Sequence, residues 1–293
     1  MSYFYKENQE LEEKVQYFFY LLSKVNKYKY NSEISIILLG SLSRGEGSWM
    51  MDENNNTILL SDIEFLTIHP DNFDEFKEFD KDIKDAAYAA FENEFSALFH
   101  IDNSYCLISK MPYLEKKLLI FDAIEMGKTV VGEDRRFLFP KIDVYTINLF
   151  DIRDILSHRI FSVLYYGIPL KTEKRIAEYR YSLAKNSLDL MTVILINNDI
   201  LISGYQEKLA KIKELPIDDS LKRYFEYCLC IKFSVKSKYY FEIEKMEEIF
   251  LRLIIVLDDT FRNHYRNCIH NVKSIFRRKL GVLKRGIKVR NIK

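Results

Sequence analysis

The chain has 293 residues, 48% of them hydrophobic and 14% aromatic, with nine glycines and five prolines. That composition excludes a disordered or fibrous protein, and the length suffices for one large core or two modest ones. The net charge of +1 is unevenly spread: every charged residue after Asp259 is basic, so an acidic body is followed by a basic tail.

Apolar residues at Leu11, Val15, Phe18, Phe19, Leu22 and Val25 predict an amphipathic helix over 8–30, broken at Asn31-Ser32. Residues 34–39, Ile-Ser-Ile-Ile-Leu-Leu, predict a buried strand that stops at Gly40-Ser41, where a glycine-rich stretch begins. Residues 52–56 read as a polar turn and 57–60 as a short strand or its approach. A second strand over 63–68 is ended by His69-Pro70. Phe73, Phe76, Phe79, Ile83, Ala86 and Ala90 share one face of a helix over 71–95. Another strand is predicted over 99–108. Pro112 stands where a helix start tolerates proline and opens a helix running to Gly127, and 129–132 is a last extended piece.

From Ile142 onward the pattern is wholly helical, with segments at 149–166, 172–197, 204–214, 219–233 and 239–265 that suit a bundle. The character of the chain thus changes near residue 142, and 132–141 reads as the linker. The longest apolar stretches, 34–40 and 250–257, are too short to span a bilayer, and no secretory signal is visible. Cys106, Cys228, Cys230 and Cys268 form no disulfide framework or zinc motif, and a cytoplasmic protein with reduced thiols is expected. The tail over 262–293 either meets an anionic partner, RNA or other, or neutralises the acidic body of its own chain.

Three features carry chemistry. A small residue at the turn after a strand lets backbone N–H groups approach a phosphate, and Ser41 adds a hydroxyl to Gly40 there. Asp62 and Glu64, two apart at the start of a strand, face one side while Ile63 faces the core. A divalent cation would relieve their mutual repulsion, and oxygen ligands suit magnesium. Asp102 is an acid inside an otherwise apolar strand pattern. It is either a hydrogen-bonded structural residue or the third carboxylate of a two-metal site. Arg44, one helical turn past Ser41, either clamps a phosphate or pairs with Glu46. His100 and His158 read as packing or hydrogen-bonding residues rather than ligands.

The order Gly40-Ser41, Asp62-Ile63-Glu64, Asp102 resembles the signature of the DNA polymerase β-like nucleotidyltransferase superfamily. The context Gly-Ser-Leu-Ser-Arg-Gly-Glu-Gly-Ser-Trp, then Leu-Ser-Asp-Ile-Glu-Phe-Leu, resembles bacterial nucleotidyltransferase-domain proteins. The resemblance implies an α+β nucleotidyltransferase domain with a mixed sheet over 1–141 and an all-α helical-bundle domain over 142–293. It implies that Gly40 and Ser41 hold the nucleotide phosphates, and that Asp62, Glu64 and Asp102 bind Mg2+ or Mn2+, with Asp102 also the base for the acceptor. The segment Tyr179-Arg180-Tyr181-Ser-Leu-Ala-Lys185 resembles the one by which related enzymes bring a lysine to the triphosphate, which makes Lys185 the first choice and Arg180 the second.

Twenty residues separate Ser41 from Asp62, more than is usual in the superfamily, and the excess is a hairpin or a loop over the nucleotide. The implied activity is metal-dependent transfer of a nucleoside monophosphate from a nucleoside triphosphate, ATP or another, to a hydroxyl of a small molecule or protein side chain. An RNA-directed or toxin-like transferase and a catalytically silent nucleotide-binding module are the alternatives. Neither the base of the nucleotide nor the acceptor is fixed by these residues.

Overall fold

A computed structural model describes residues 2–51, 57–91, 100–147, 149–166 and 173–264. The predicted turn at 52–56, the 92–95 end of the second predicted helix, the first residue of the strand predicted at 99–108 and the basic tail beyond His264 lie outside them.

Helix α1 (Gln9–Lys29) starts where the Asn8 side chain accepts from the Leu11 N–H at 3.0 Å, a helix N-cap bond. It buries Leu11, Val15, Phe18, Phe19 and Leu22 against the sheet. The chain then turns through Asn31 and Ser32, both at positive φ. Asn26 pins the exit by donating to the Ile34 carbonyl at 2.8 Å and accepting from its N–H at 3.2 Å. Strand β1 (Ser35–Leu39) is buried on both faces. It runs into α2 (Gly40–Ser43), a single turn, and then into a hairpin of β2 (Trp49–Met51) and β3 (Thr57–Leu59).

Next come β4 (Ile63–His69), α3 (Phe76–Phe91), β5 (Ile101–Leu107), α4 (Leu118–Glu125) and β6 (Lys128–Val131). The sheet order is β5-β4-β1-β6. Strands β4 and β5 are parallel and the other pairs antiparallel, so the sheet is mixed. Ile36, Leu38, Ile63 and Phe65 pack under α1 and α3, whereas Ile37, Leu39, Leu66 and Ile68 pack on the α4 side.

Helices α5 (Leu149–Tyr166), α6 (Glu173–Ile196), α7 (Tyr205–Glu214), α8 (Asp219–Lys232) and α9 (Ile243–His264) complete the described chain. Helix α6 is central, packing on α5, α7, α8 and α9. It supplies Leu183, Leu188, Met191 and Leu195 to a core shared with Tyr224, Phe225 and Phe250. The architecture is an α+β part with a mixed sheet followed by a helical part. No helix among the described residues is long and apolar enough to cross a membrane.

One expectation needs correction. The helix predicted from Pro112 does not form there: Ile108–Tyr113 is a 3-10 segment with Pro112 inside it, and the α-helix begins at Leu118. Its start is fixed by Asp151 on α5, which accepts from the Leu118 N–H at 2.6 Å. Of the hairpin or loop expected between Ser41 and Asp62, the pairing of β2 with β3 gives the hairpin, though β2 itself carried no strand signal. The free thiols are packing groups: burial pushes the Cys106 pKa up to about 11 and the Cys228 pKa up to about 12.

His69, fully buried at the end of β4, stacks on Phe73 at 4.3 Å between ring centres and lies 2.9 Å from the Thr67 hydroxyl. Burial lowers its pKa from 6.5 to about 4. The unfolded chain then binds a proton that the folded chain refuses. Stability is full above pH 6.5 and falls toward pH 4, by at most roughly 3 kcal/mol. Urea midpoints taken above and within this window should show the loss in the wild type and a smaller one in His69→Gln. Equal slopes would remove His69 as the cause.

Candidate active site

Strand β1 delivers its C-terminal end to the turn at Gly40. The residue has φ +68, and a Cβ built there would lie 2.4 Å from a Glu64 carboxylate oxygen. The positive φ favours glycine, and any side chain there would also displace the Glu64 carboxylate. The Ser41 hydroxyl follows it on the wall of a cleft of about 500 Å3.

The acids reach the same cleft by register. In the sheet Glu64 lies opposite Leu39 on one side and Asp102 on the other. Residues paired in register point to the same face, so Glu64 and Asp102 share the α4 side of the sheet. Asp62 immediately precedes β4, and Asp62, Glu64 and Asp102 all line the cleft beside Gly40, Ser41 and Arg44. Burial raises the pKa of Glu64, and the neighbouring Lys185 ammonium only partly opposes this. Asp102 is exposed on the edge strand.

The sequence-predicted cations divide. Lys185 on α6 projects into the cleft, where its ammonium meets Asp62 at 2.5 Å. Burial alone would lower its pKa, but Asp62, Tyr181 and Glu64 together outweigh that and hold it above the ordinary lysine value. Arg44 lines the cleft with its charge already shared, at 2.8 Å from Glu46 and 3.4 Å from Asp122. Arg180 is elsewhere: its guanidinium lies over the Tyr240 ring and donates to that hydroxyl at 3.3 Å, and it does not line the cleft.

Arg159, Tyr205 and Lys208 line the cleft without any sequence signal, and Glu46, which the sequence offered only as a partner for Arg44, stands behind the wall. Glu46 is buried and accepts from the Tyr205 and Gln206 N–H groups at 2.7 and 3.3 Å, so it caps α7 from the sheet side. Arg159 on α5 pairs with Asp189 on α6 at 2.8 Å, and Tyr205 donates to the same carboxylate at 2.8 Å. Lys208 on α7 is buried in the cleft wall, and burial lowers its pKa.

Asp62, Glu64 and Asp102 offer oxygen donors, the type that a hard divalent cation takes. In this conformation Lys185 supplies the charge that neutralises Asp62, and no three acidic, histidine or cysteine side chains among the described residues stand together as a metal cage. The donor chemistry fits magnesium, and binding would require Asp62 to exchange Lys185 for the ion. A second cavity of about 420 Å3 adjoins the first and shares Asp62, Asp102, Arg159 and Lys185 with it. Its further lining includes His158, Phe161, Ser162 and Tyr181.

A mixed sheet with an acid-lined edge, backed by a helical part across a cleft, is a nucleotidyltransferase fold. Among solved structures the chain is similar to spectinomycin adenyltransferase AAD(9) from Enterococcus faecialis, determined with ATP and spectinomycin. The TM-score is 0.51 and the identity 14%, over 86% of this chain and 100% of that one. At that identity the likeness is one of fold. No protein-family profile matches the chain, and no curated protein matches it.

Proposed function

We propose that the chain is a metal-dependent nucleotidyltransferase that moves a nucleoside monophosphate from a nucleoside triphosphate to a hydroxyl of a small molecule. The observation that carries this reading is the meeting of Gly40, Ser41, Asp62, Glu64 and Asp102 in one cleft, with Glu64 and Asp102 in direct register. The likeness to an ATP-bound adenyltransferase supports the triphosphate as donor and a small molecule as acceptor. We divide the chain as 1–141, the nucleotidyltransferase domain, and 142–293, the helical domain.

In this reading the turn at Gly40 and the Ser41 hydroxyl receive the phosphates. Asp62, Glu64 and Asp102 would hold the divalent ion, which when bound would stabilise the charge of the pentacoordinate transition state and lower the pKa of the attacking hydroxyl. Lys185 and Lys208 give the cleft fixed positive charge aimed where the leaving pyrophosphate collects its own. Arg44, held by two carboxylates, shapes the wall behind them. Asp102 lines both cavities. In this reading Asp102 accepts the proton of an acceptor hydroxyl entering from the side of Phe161 and Ser162, which line the second cavity with it. The RNA-directed alternative rests on the basic tail, outside the described residues, and the cleft lends it no support.

The test is transfer of label from each α-labelled triphosphate, with magnesium or manganese, in a cell extract resolved into small-molecule, RNA and protein fractions. Label should enter the small-molecule fraction, vanish in chelator and fall with Lys185→Ala through weaker triphosphate binding. Label in RNA would replace this acceptor class, and no transfer from any triphosphate would sink the enzyme reading.

A further inference from the structure

Lys232, the last residue of α8, is fully buried. Its ammonium donates to three hydroxyls: Ser48 at 2.8 Å, Tyr181 at 3.0 Å and Ser61 at 3.1 Å. All three of its protons are used, and among the described residues no carboxylate forms an ion pair with it. The C-terminal end of α8 compensates in part, since a helix end carries about half a negative charge. A buried ammonium held by neutral groups alone is costly, and a well-packed apolar residue in its place is commonly neutral or stabilising.

The reason to keep it lies one hydroxyl further on. Ser61 Oγ accepts from Lys232, from the Ser48 N–H at 2.8 Å and from the Ser41 hydroxyl at 3.1 Å. A hydroxyl oxygen has two acceptor sites. Three donors therefore converge on two lone pairs, and one is surplus. Ser48 donates from its backbone and Lys232 from the interior. Ser41 alone of the three stands on the cleft wall.

We propose that Lys232 is a positioning residue for the nucleotide: by saturating Ser61 it releases the Ser41 hydroxyl to donate into the cleft, to a phosphate oxygen of the bound triphosphate. The inference rests on the nucleotidyltransferase reading. It adds a polar path from α8 through Ser61 to the phosphate turn, separate from Lys185, whose charge is engaged by Asp62. It also gives Ser61, the residue before the first acid, a defined task.

The experiment measures thermal midpoints without nucleotide, and affinities for α,β-methylene analogues of ATP, GTP, CTP and UTP with magnesium. The proteins are the wild type, Lys232→Met, Ser61→Ala, Ser41→Ala and the double variant of Lys232→Met with Ser41→Ala. Lys232→Met should keep or raise the midpoint yet weaken the tightest analogue roughly tenfold, the size of one hydrogen bond to a charged group. Ser41→Ala should weaken it similarly in the wild type and add little in Lys232→Met, a non-additivity expected of groups in one network.

Lys232→Met binding as tightly as wild type, or fully additive losses, would overturn the proposal. If Lys232→Met fails to fold, Ser61→Ala decides: with the competing acceptor gone the Ser41 hydroxyl stays free, so affinity at or above that of the wild type supports the proposal, and a tenfold loss overturns it. A wild type that binds none of the four analogues would instead overturn the nucleotide reading beneath it.

Discussion

Asp62→Asn is expected to reduce nucleotidyl transfer about a thousandfold or more, because the metal-borne part of transition-state stabilisation is worth several kcal/mol. The change keeps the side chain's size and its place beside the His100 N–H, which Asp62 now accepts at 3.2 Å. It removes the charge that balances Lys185 at 2.5 Å. The variant should therefore fold, keep a cationic cleft and bind a triphosphate without metal at least as well as wild type. What it should lose is the gain in rate that magnesium gives. Initial rates across a magnesium titration, run beside a metal-free binding isotherm, separate the two effects. Arg180→Ala, at a residue engaged with Tyr240, should leave both curves unchanged. A magnesium response retained by Asp62→Asn would remove Asp62 from the metal site.

Glu46→Ala should be the most destabilising single change near the cleft. Glu46 and Arg44 are both nearly inaccessible, with side-chain exposures of 6% and 7%. One Glu46 oxygen binds the Arg44 Nε, and the other receives two N–H groups at the start of α7. The N-cap of that helix is Gly204, which has no side chain to offer. Removing Glu46 leaves Arg44 with Asp122, at 3.4 Å, as its ion-pair partner among the described residues, and takes the acceptor from the buried Tyr205 N–H and the part-buried Gln206 N–H. Breaking such a buried pair costs about 3–5 kcal/mol, the unpaired partner being most of the penalty. Glu46→Gln keeps an oxygen for the helix but not the charge, and should fall between alanine and wild type. Urea-unfolding midpoints of the three proteins check the order; a loss in Glu46→Ala below about 1 kcal/mol, the range of exposed ion pairs, would show that the network is not tight in solution.

Much of the fold was legible because its signals are local. The described residues 149–166 are helical as predicted, and the alternation of Asp62, Ile63 and Glu64 fixed which face the acids share. Asp102 was picked out as a charge within a strand read as apolar, whereas β5 is a largely polar edge strand on which Asp102 is exposed. What stayed hidden depends on partners far along the chain. Lys185 finds Asp62 across 123 residues, and Glu46 finds Tyr205 across 159. Nothing local tells a cleft-facing Lys208 or a buried Lys232 from the solvated lysines Lys211 and Lys213 on α7. The misplaced helix after Pro112 has the same cause, since its cap comes from Asp151 on another element.

The hairpin between the phosphate turn and the first acid is tied at its neck. Leu60 and Ser61 both donate to the Ser48 carbonyl, at 2.9 and 3.3 Å, and the Trp49 indole is anchored on the Lys6 carbonyl at 2.8 Å. Among the described residues, Met51 and Thr57, the rung beyond Met50 and Ile58, are not part of the cleft's lining. Lengthening a loop whose ends are already held costs little, about 0.6 kcal/mol per doubling. In evolutionary terms the segment is free to grow or shrink while Ser41 and Asp62 keep their places in space. The interval between the two motifs is then a poor measure of kinship. A lineage built this way would drift out of reach of spacing-based recognition long before its cleft changed.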